Sequence, residues 1–109
     1  MSNRKIVVTS RFKNSVKINY NYIQQHSVQN AEKFLNELFE VMEQIPKNPE
    51  AYSLEHRLPT KRKLYRYKLY KKHYRIIFKT LNKQLIFVDL FHTAQNPDKI
   101  KKLRTNKYD

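Results

Sequence analysis

Residues 65–79 read YRYKLYKKHYRIIFK, and they carry the clearest strand pattern of the sequence. Aromatic or apolar residues occupy every second position from Tyr65 to Leu69, with Arg66 and Lys68 between them. The same alternation returns from residue 74 to residue 79, after the run Lys-Lys-His. Because side chains of a strand point to opposite faces in turn, the pattern predicts two strands joined by a bend at residues 71–73.

A third strand follows in sequence. Residues 85–91 are apolar except for Asp89, as expected of a strand that is buried on both faces in the middle of a sheet. Asn82-Lys83 precedes it and is a plausible tight turn, because Asn tolerates a positive φ angle. A hairpin is therefore predicted at this turn.

Upstream of these strands, the apolar residues recur at helical spacing. Ile6-Val7-Val8-Thr9 reads as a first strand, and Ser10 is the predicted N-cap of a helix running to about Gln25. Ser27 is positioned to cap a second helix, which ends before Pro46. The two apolar stripes are Phe12, Val16, Tyr20 and Ile23, then Ala31, Phe34, Leu35, Leu38, Met42 and Ile45. These stripes predict a helical hairpin.

The remaining segments complete one domain, residues 1–109. Residues 46–59 contain three prolines and read as a loop, and Asn96 with Pro97 starts a short lysine-rich C-terminal helix. The predicted fold class is α+β, in the order β-α-α-β-β-β-α. The helical hairpin packs on one face of a small, mostly antiparallel sheet, and the opposite face is left uncovered.

Composition excludes several functions. There is no cysteine, so a disulfide framework and a thiolate zinc site are ruled out. There is no glycine either, and phosphate-cradling loops and dinucleotide fingerprints need it, so no cofactor is expected. The apolar run near the N-terminus is too short for a signal peptide, and no stretch approaches a membrane span. We therefore expect a cytoplasmic protein with no membrane partner.

Charge indicates the kind of partner. Lys and Arg number 23 against 9 Asp and Glu, which gives a formal net charge of +14. No acidic residue occurs from His56 to Val88. Such an excess attracts nucleic acid, an anionic membrane surface or an acidic protein segment.

Two motifs carry a family resemblance. The string Tyr74-Arg75-Ile76-Ile77-Phe78 is followed by Phe91-His92-Thr93-Ala94-Gln95-Asn96-Pro97, and both come after two helices and a basic strand. In this order the elements resemble the RelE/ParE superfamily of bacterial type II toxin-antitoxin toxins. The resemblance covers essentially the whole chain and implies the RelE/ParE-like fold.

The branches of this superfamily differ in function. Members resembling RelE are ribosome-dependent endoribonucleases that cut mRNA, whereas members resembling ParE poison DNA gyrase and need no nuclease site. Both kinds are neutralised by a cognate antitoxin protein that folds on the toxin. The resemblance favours a ribosome-dependent mRNA endonuclease, with the ribosome and mRNA as partners, and a gyrase inhibitor follows closely. A non-catalytic basic binding domain on the same fold is a third hypothesis.

The nuclease interpretation implies a catalytic set of Arg75, His92, Lys68 and Arg66. Arg75 falls where the nuclease branch has an arginine near the scissile phosphate, and a fixed guanidinium stabilises charge that builds up there. The alternative is a solvated or antitoxin-contacting arginine. His92 is the best general acid or base, although strict alternation puts it in phase with Ile86, Val88 and Leu90, which favours a structural role.

A wider set would hold RNA. Its predicted members are Lys61, Arg62, Lys63, Tyr67, Tyr70 and Lys79. Lysine and arginine would bind phosphates, and the tyrosines would stack on bases, although aromatics at a period of two more often pack in a core. Glu50 and Glu55 are the carboxylates just ahead of the basic strands that could act as a base. Neither falls at a position for which the resemblance implies a catalytic carboxylate. His26, His56 and His73 are too scattered for a metal site.

Overall fold

The computed structural model describes residues 4–103. Its strands are β1 (Lys5–Val8), β2 (Ser53–Leu54), β3 (Tyr65–Tyr70), β4 (Tyr74–Thr80) and β5 (Gln84–His92), and its α-helices are α1 (Ser10–Gln24) and α2 (Val28–Gln44). Short 3₁₀ helices lie at Ile45–Lys47, Pro49–Ala51 and Pro97–Leu103. The predicted element order is confirmed, with the two-residue strand β2 as an addition.

The strands form one sheet in the order β1-β5-β4-β3-β2. β1 pairs with β5 in parallel, and the other neighbours are antiparallel, so the sheet is mostly antiparallel as predicted. β5 has a partner on each side, which accounts for its apolar sequence. β1 and β2 are the two edges.

The helical hairpin covers one face of the sheet, which we call the helix face. Phe12, Phe34 and Leu38 of the helices are buried there against Ile76 and Phe78 of β4. Each fully buried apolar side chain contributes about 1.5–3 kcal/mol to stability. The prediction that the helical hairpin packs on one face of the sheet is thus confirmed.

The start of α1 differs from the prediction. Thr9, not Ser10, is the N-cap, because its Oγ accepts a hydrogen bond from the backbone N–H of Phe12 at 3.0 Å. The same hydroxyl donates to the carbonyl of Val88 at 2.8 Å, which ties the helix start to β5. Ser27 caps α2 as predicted.

The opposite face is not uncovered, and that prediction is wrong. Residues 55–64, which we call the strap, run across it, and the C-terminal 3₁₀ helix packs beside them. The second core cluster contains Leu58 and Leu64 of the strap, Ile100 and Leu103 of the 3₁₀ helix, and Tyr65, Ile77, Val88 and Phe91 of the sheet. The cover is needed because β4 and β5 bury apolar side chains on both faces.

A bulge changes the facing of residues along β5. Phe78 pairs with Phe87, but its neighbour Ile77 pairs with Asp89, so the register shifts by one residue. After the shift, Leu90 belongs to the helix-face cluster, while Val88 belongs to the strap-face cluster. The predicted strict alternation from Ile86 to His92 is therefore wrong, because a bulge adds one residue to a strand.

Left-handed backbone occurs at lysines in this glycine-free chain. Lys63, Lys71 and Lys72 have φ angles of 53°, 49° and 65°. The last two make the tight β3–β4 bend predicted at residues 71–73. Asn82 is not among the positive-φ residues of the described chain, so the reason given for the β4–β5 turn was wrong although the turn exists.

Candidate functional site

Arg75 lies on the strap face of β4 in a polar contact with the strap. Its Nη1 donates to Oε1 of Glu55 at 2.9 Å. The guanidinium also lies over the ring of Tyr67, with Cζ 3.8 Å from the ring centroid. The Arg75 side chain is 23% exposed and that of Glu55 is 1% exposed. Arg75 is therefore neutralised by a buried carboxylate and stacked on an aromatic ring.

Glu55 is held by the strap itself. Its Oε2 accepts a hydrogen bond from the backbone N–H of Arg57 at 3.1 Å, so both carboxylate oxygens have a partner. A cavity of about 200 Å³ adjoins it, lined in part by His56, Thr60 and Lys63. The sequence marked Glu55 only as a carboxylate ahead of the basic strands, and its contact with Arg75 is apparent only in the fold.

Arg66 and Lys68 lie on the other side of the sheet. Both are an even number of residues from Tyr70 along β3, so they share its face of the sheet, and Tyr70 is buried in the helix-face cluster. Arg66 donates from Nη1 to the carbonyl of Tyr52 at 2.7 Å, so its guanidinium holds the chain just ahead of β2. Lys68 is exposed. Neither side chain shares a face with Arg75.

His92 also lies away from Arg75. Its ring is edge-on to Tyr74 with centroids 5.0 Å apart, and it is stacked on His73 at 6.1 Å with an interplanar angle of 6°. The backbone N–H of Ala94 donates to Nδ1 of His92 at 3.0 Å. This bond uses Nδ1 as an acceptor and holds the ring at the end of β5.

Residues 6–97 match the family model described as the ParE toxin of the type II toxin-antitoxin system, parDE. The chain belongs to this family of toxins. No curated protein sequence matches it. Between residues 4 and 103, no helix is long and apolar enough to cross a membrane.

The predicted RNA-binding residues of this ParE-family toxin divide by exposure. Lys61, Arg62 and Lys63 of the strap are exposed. Tyr67 is half-buried beneath Arg75. The other predicted residues, Tyr70 and Lys79, are buried, so the accessible part of the predicted set is the strap lysines and arginine.

The two buried residues have defined surroundings. Tyr70 donates its hydroxyl proton to the carbonyl of Phe34 at 2.6 Å, and burial raises the pKa of this phenol. The ammonium of Lys79 lies 5.2 Å from the ring centroid of Tyr65. Core packing of tyrosines at a period of two is thus confirmed for Tyr65, Tyr70 and Tyr74.

One further carboxylate of the toxin lies in its core. Asp89, at the bulge in β5, is 6% exposed and accepts a hydrogen bond from Ser15 Oγ at 2.5 Å. Burial raises the pKa of this carboxyl, while the Ser15 hydrogen bond and the Arg11 guanidinium act in the opposite direction. Asp89 thus joins α1 to β5. In the described part of the chain, no three His, Asp or Glu side chains form a group that could hold a metal ion.

Proposed function

We propose that this toxin inhibits DNA gyrase by binding it, in the manner of the ParE branch, without cutting RNA. The observation that carries the proposal is the Arg75–Glu55 pair. The residue that a nuclease would hold against the scissile phosphate is already bound to a buried carboxylate and stacked on Tyr67. The family description, which names the ParE toxin, supports the same branch.

The arrangement of the remaining candidates supports binding over catalysis. A nuclease that works by charge needs its cations around one phosphate, since electrostatic stabilisation depends on donors fixed at the reacting group. Arg66, Lys68 and His92 lie across the sheet from Arg75. This separation supports the gyrase branch, which the sequence ranked second.

A ribosome-dependent mRNA endonuclease is the second candidate, and one observation favours it. Glu55 adjoins Arg75 and a cavity of about 200 Å³ that Lys63 also lines. A carboxylate there would accept the proton of a ribose 2′-OH while Arg75 held the phosphate. This chemistry requires the strap to loosen, because the Glu55 side chain is 1% exposed.

Membership of a type II family implies a cognate antitoxin as a further partner. The net charge of +14 and the acid-free segment from His56 to Val88 suit a partner with an acidic segment that folds on binding. The antitoxin and gyrase would both meet a surface rich in lysine and arginine.

The deciding experiment measures two activities of the purified toxin. We expect it to block supercoiling by gyrase and to leave mRNA intact in a reconstituted translation reaction with ribosomes. The resemblance to the ParE branch implies that the first two helices contact gyrase, with Arg11 and Lys17 among the contacts. Lys17 is exposed on α1, so Lys17→Glu should weaken the block. Lys47→Glu makes the same charge change after α2 and serves as the matched control.

The alternative makes the opposite prediction. Ribosome-dependent mRNA cuts that are abolished by Glu55→Gln, in a variant with an unchanged circular dichroism spectrum, would replace the gyrase proposal with the nuclease. Equal loss of the gyrase block in Lys17→Glu and Lys47→Glu would remove α1 as the contact.

A further inference from the structure

Three separate segments meet at one end of the sheet. The backbone N–H of Lys5, at the start of β1, donates to the carbonyl of Lys83 in the β4–β5 turn at 2.9 Å. The N–H of Thr80, at the end of β4, donates to the carbonyl of Leu64 at the end of the strap at 2.9 Å. The chain's N-terminal strand, the strap and this turn are therefore neighbours.

Each of these segments brings cations, and together they form what we call the basic end. Its members are Arg4 and Lys5 from β1 and the residue before it, Lys61, Arg62 and Lys63 from the strap, and Lys83 from the turn. All except Arg4 are exposed. Arg4 donates from Nε to the carbonyl of Leu81 at 2.8 Å and lies 3.9 Å from Glu50, the nearby acid.

The basic end is concave between its two halves. A hollow of about 370 Å³ is lined by Arg62 of the strap and by Leu81, Asn82, Lys83 and Gln84 at the β4–β5 turn. Cations from two separate segments therefore line the same hollow.

The width of the sheet sets the distance between the halves. β1 and β3 are three strand spacings apart in the order β1-β5-β4-β3. Neighbouring strands lie about 4.8 Å apart, so the backbones of β1, which carries Lys5, and of β3, which the strap cations precede, are separated by roughly 14 Å. The major groove of B-form DNA is about 12 Å wide between its phosphate strands, whereas that of A-form RNA is narrow.

We infer that the basic end binds duplex DNA, with Lys5 and Lys83 on one phosphate strand and Lys61 to Lys63 on the other. The inference goes beyond the proposed function, because it concerns the DNA itself and does not require contact with gyrase. Sequence alone suggested RNA contacts for the strap. Only the fold adds Lys5 and Lys83 to this surface.

The test measures binding of the purified toxin to a fluorescent 20-base-pair B-form DNA by anisotropy between 50 and 200 mM salt. The test variant combines Lys5→Gln, Arg62→Gln and Lys83→Gln, one cation from each segment. The control combines Lys13→Gln, Lys33→Gln and Lys72→Gln, which removes the same charge from the helices and from the β3–β4 bend. Urea unfolding of both variants establishes that they are folded.

We expect the test variant to bind at least about tenfold more weakly, with the salt slope of log K reduced by about 2.7, since each phosphate contact contributes about 0.9. The control should keep the slope of the unmodified toxin to within about one contact. Equal losses in the two variants would show diffuse attraction by net charge and overturn the inference. Equal or tighter binding of an RNA duplex of the same sequence would also overturn it. The proposed inhibition of gyrase is tested by the separate supercoiling assay, so neither result of the DNA-binding experiment decides it.

Discussion

The two faces of the sheet are covered by different kinds of structure. The helix face carries two long amphipathic helices whose apolar stripes were legible in the sequence. The strap face carries ten residues without regular structure and one 3₁₀ helix, and the Arg75–Glu55 pair is one of its polar contacts. Regular periodicity therefore stabilises one face, whereas particular side-chain contacts stabilise the other, and the candidate chemistry lies on the second.

The largest effect is expected on the helix face. Phe34 is buried between Tyr70 and Tyr74, with ring centroids 5.6 and 5.3 Å away. Phe34→Ala removes these contacts and leaves a cavity, so it should lower the free energy of unfolding by about 3–4 kcal/mol, measured by urea denaturation. Phe39→Ala, on the same helix but 48% exposed, should cost less than about 1 kcal/mol. Equal costs would mean that burial of Phe34 against Tyr70 and Tyr74 is not what stabilises the helix face.

A smaller effect is expected on the strap face. Removing one partner of a buried ion pair costs about 3–5 kcal/mol, and the 23% exposure of Arg75 reduces this, so Glu55→Gln should cost about 2 kcal/mol. The loss should be accompanied by faster hydrogen exchange within residues 55–64. Glu37→Gln breaks the more exposed pair with Lys71 on the helix side and should cost less. Slow exchange in the Glu55→Gln strap would show that apolar packing alone holds it.

A smaller effect still is expected at Asp89, on β5 where the register shifts. Burial raises its pKa, so the folded protein holds this proton more tightly than the unfolded chain does. The Asp89 carboxyl therefore contributes most to stability at pH values below its unfolded pKa of about 3.9. This contribution is lost as pH rises through the higher pKa that the carboxyl has in the folded protein.

Asp89→Asn removes this titration and keeps an oxygen for the Ser15 hydroxyl. At pH 7 the variant should be more stable by at most about 1 kcal/mol, the size of one hydrogen bond. The gain should shrink as pH falls toward 4, which urea unfolding at several pH values would measure. A variant that is less stable at pH 7 would show that the Arg11 charge outweighs burial.

How far the sequence predicts the molecule follows from the same contrast. Strands and helices were predicted because a period of two or 3.6 repeats over many residues, as in β3 and α2. The strap was missed because Leu58 and Leu64 follow no period, and only contact with Ile100 and Leu103 shows that they are core. The bulge was missed because one extra residue leaves no mark in a run that is apolar on both faces.

The candidate site was predictable only in its residue types. Arg75 was singled out correctly as a sheet arginine, but its partner Glu55 lies 20 positions earlier in an irregular segment. Exposure of Lys79 was expected from its charge, yet it is buried beside Tyr65. Charge in a sequence predicts the kind of partner, and the fold decides which charges can reach it.

The smallest effect is expected from the left-handed backbone of the strap at Lys63. Lys63 has a φ angle of 53°, a left-handed conformation that costs a residue other than glycine or asparagine roughly 1 kcal/mol. Lys63→Asn should therefore raise the free energy of unfolding by about 0.5 kcal/mol, because Asn enters this region more easily. Lys61→Asn removes the same charge at a residue that does not have a positive φ angle. It should not raise the free energy of unfolding when both variants are compared by thermal unfolding. Equal gains in stability in both variants would assign the effect to reduced repulsion among the strap cations instead of to backbone strain. Charge repulsion, and not the φ angle of Lys63, would then be what destabilises the strap.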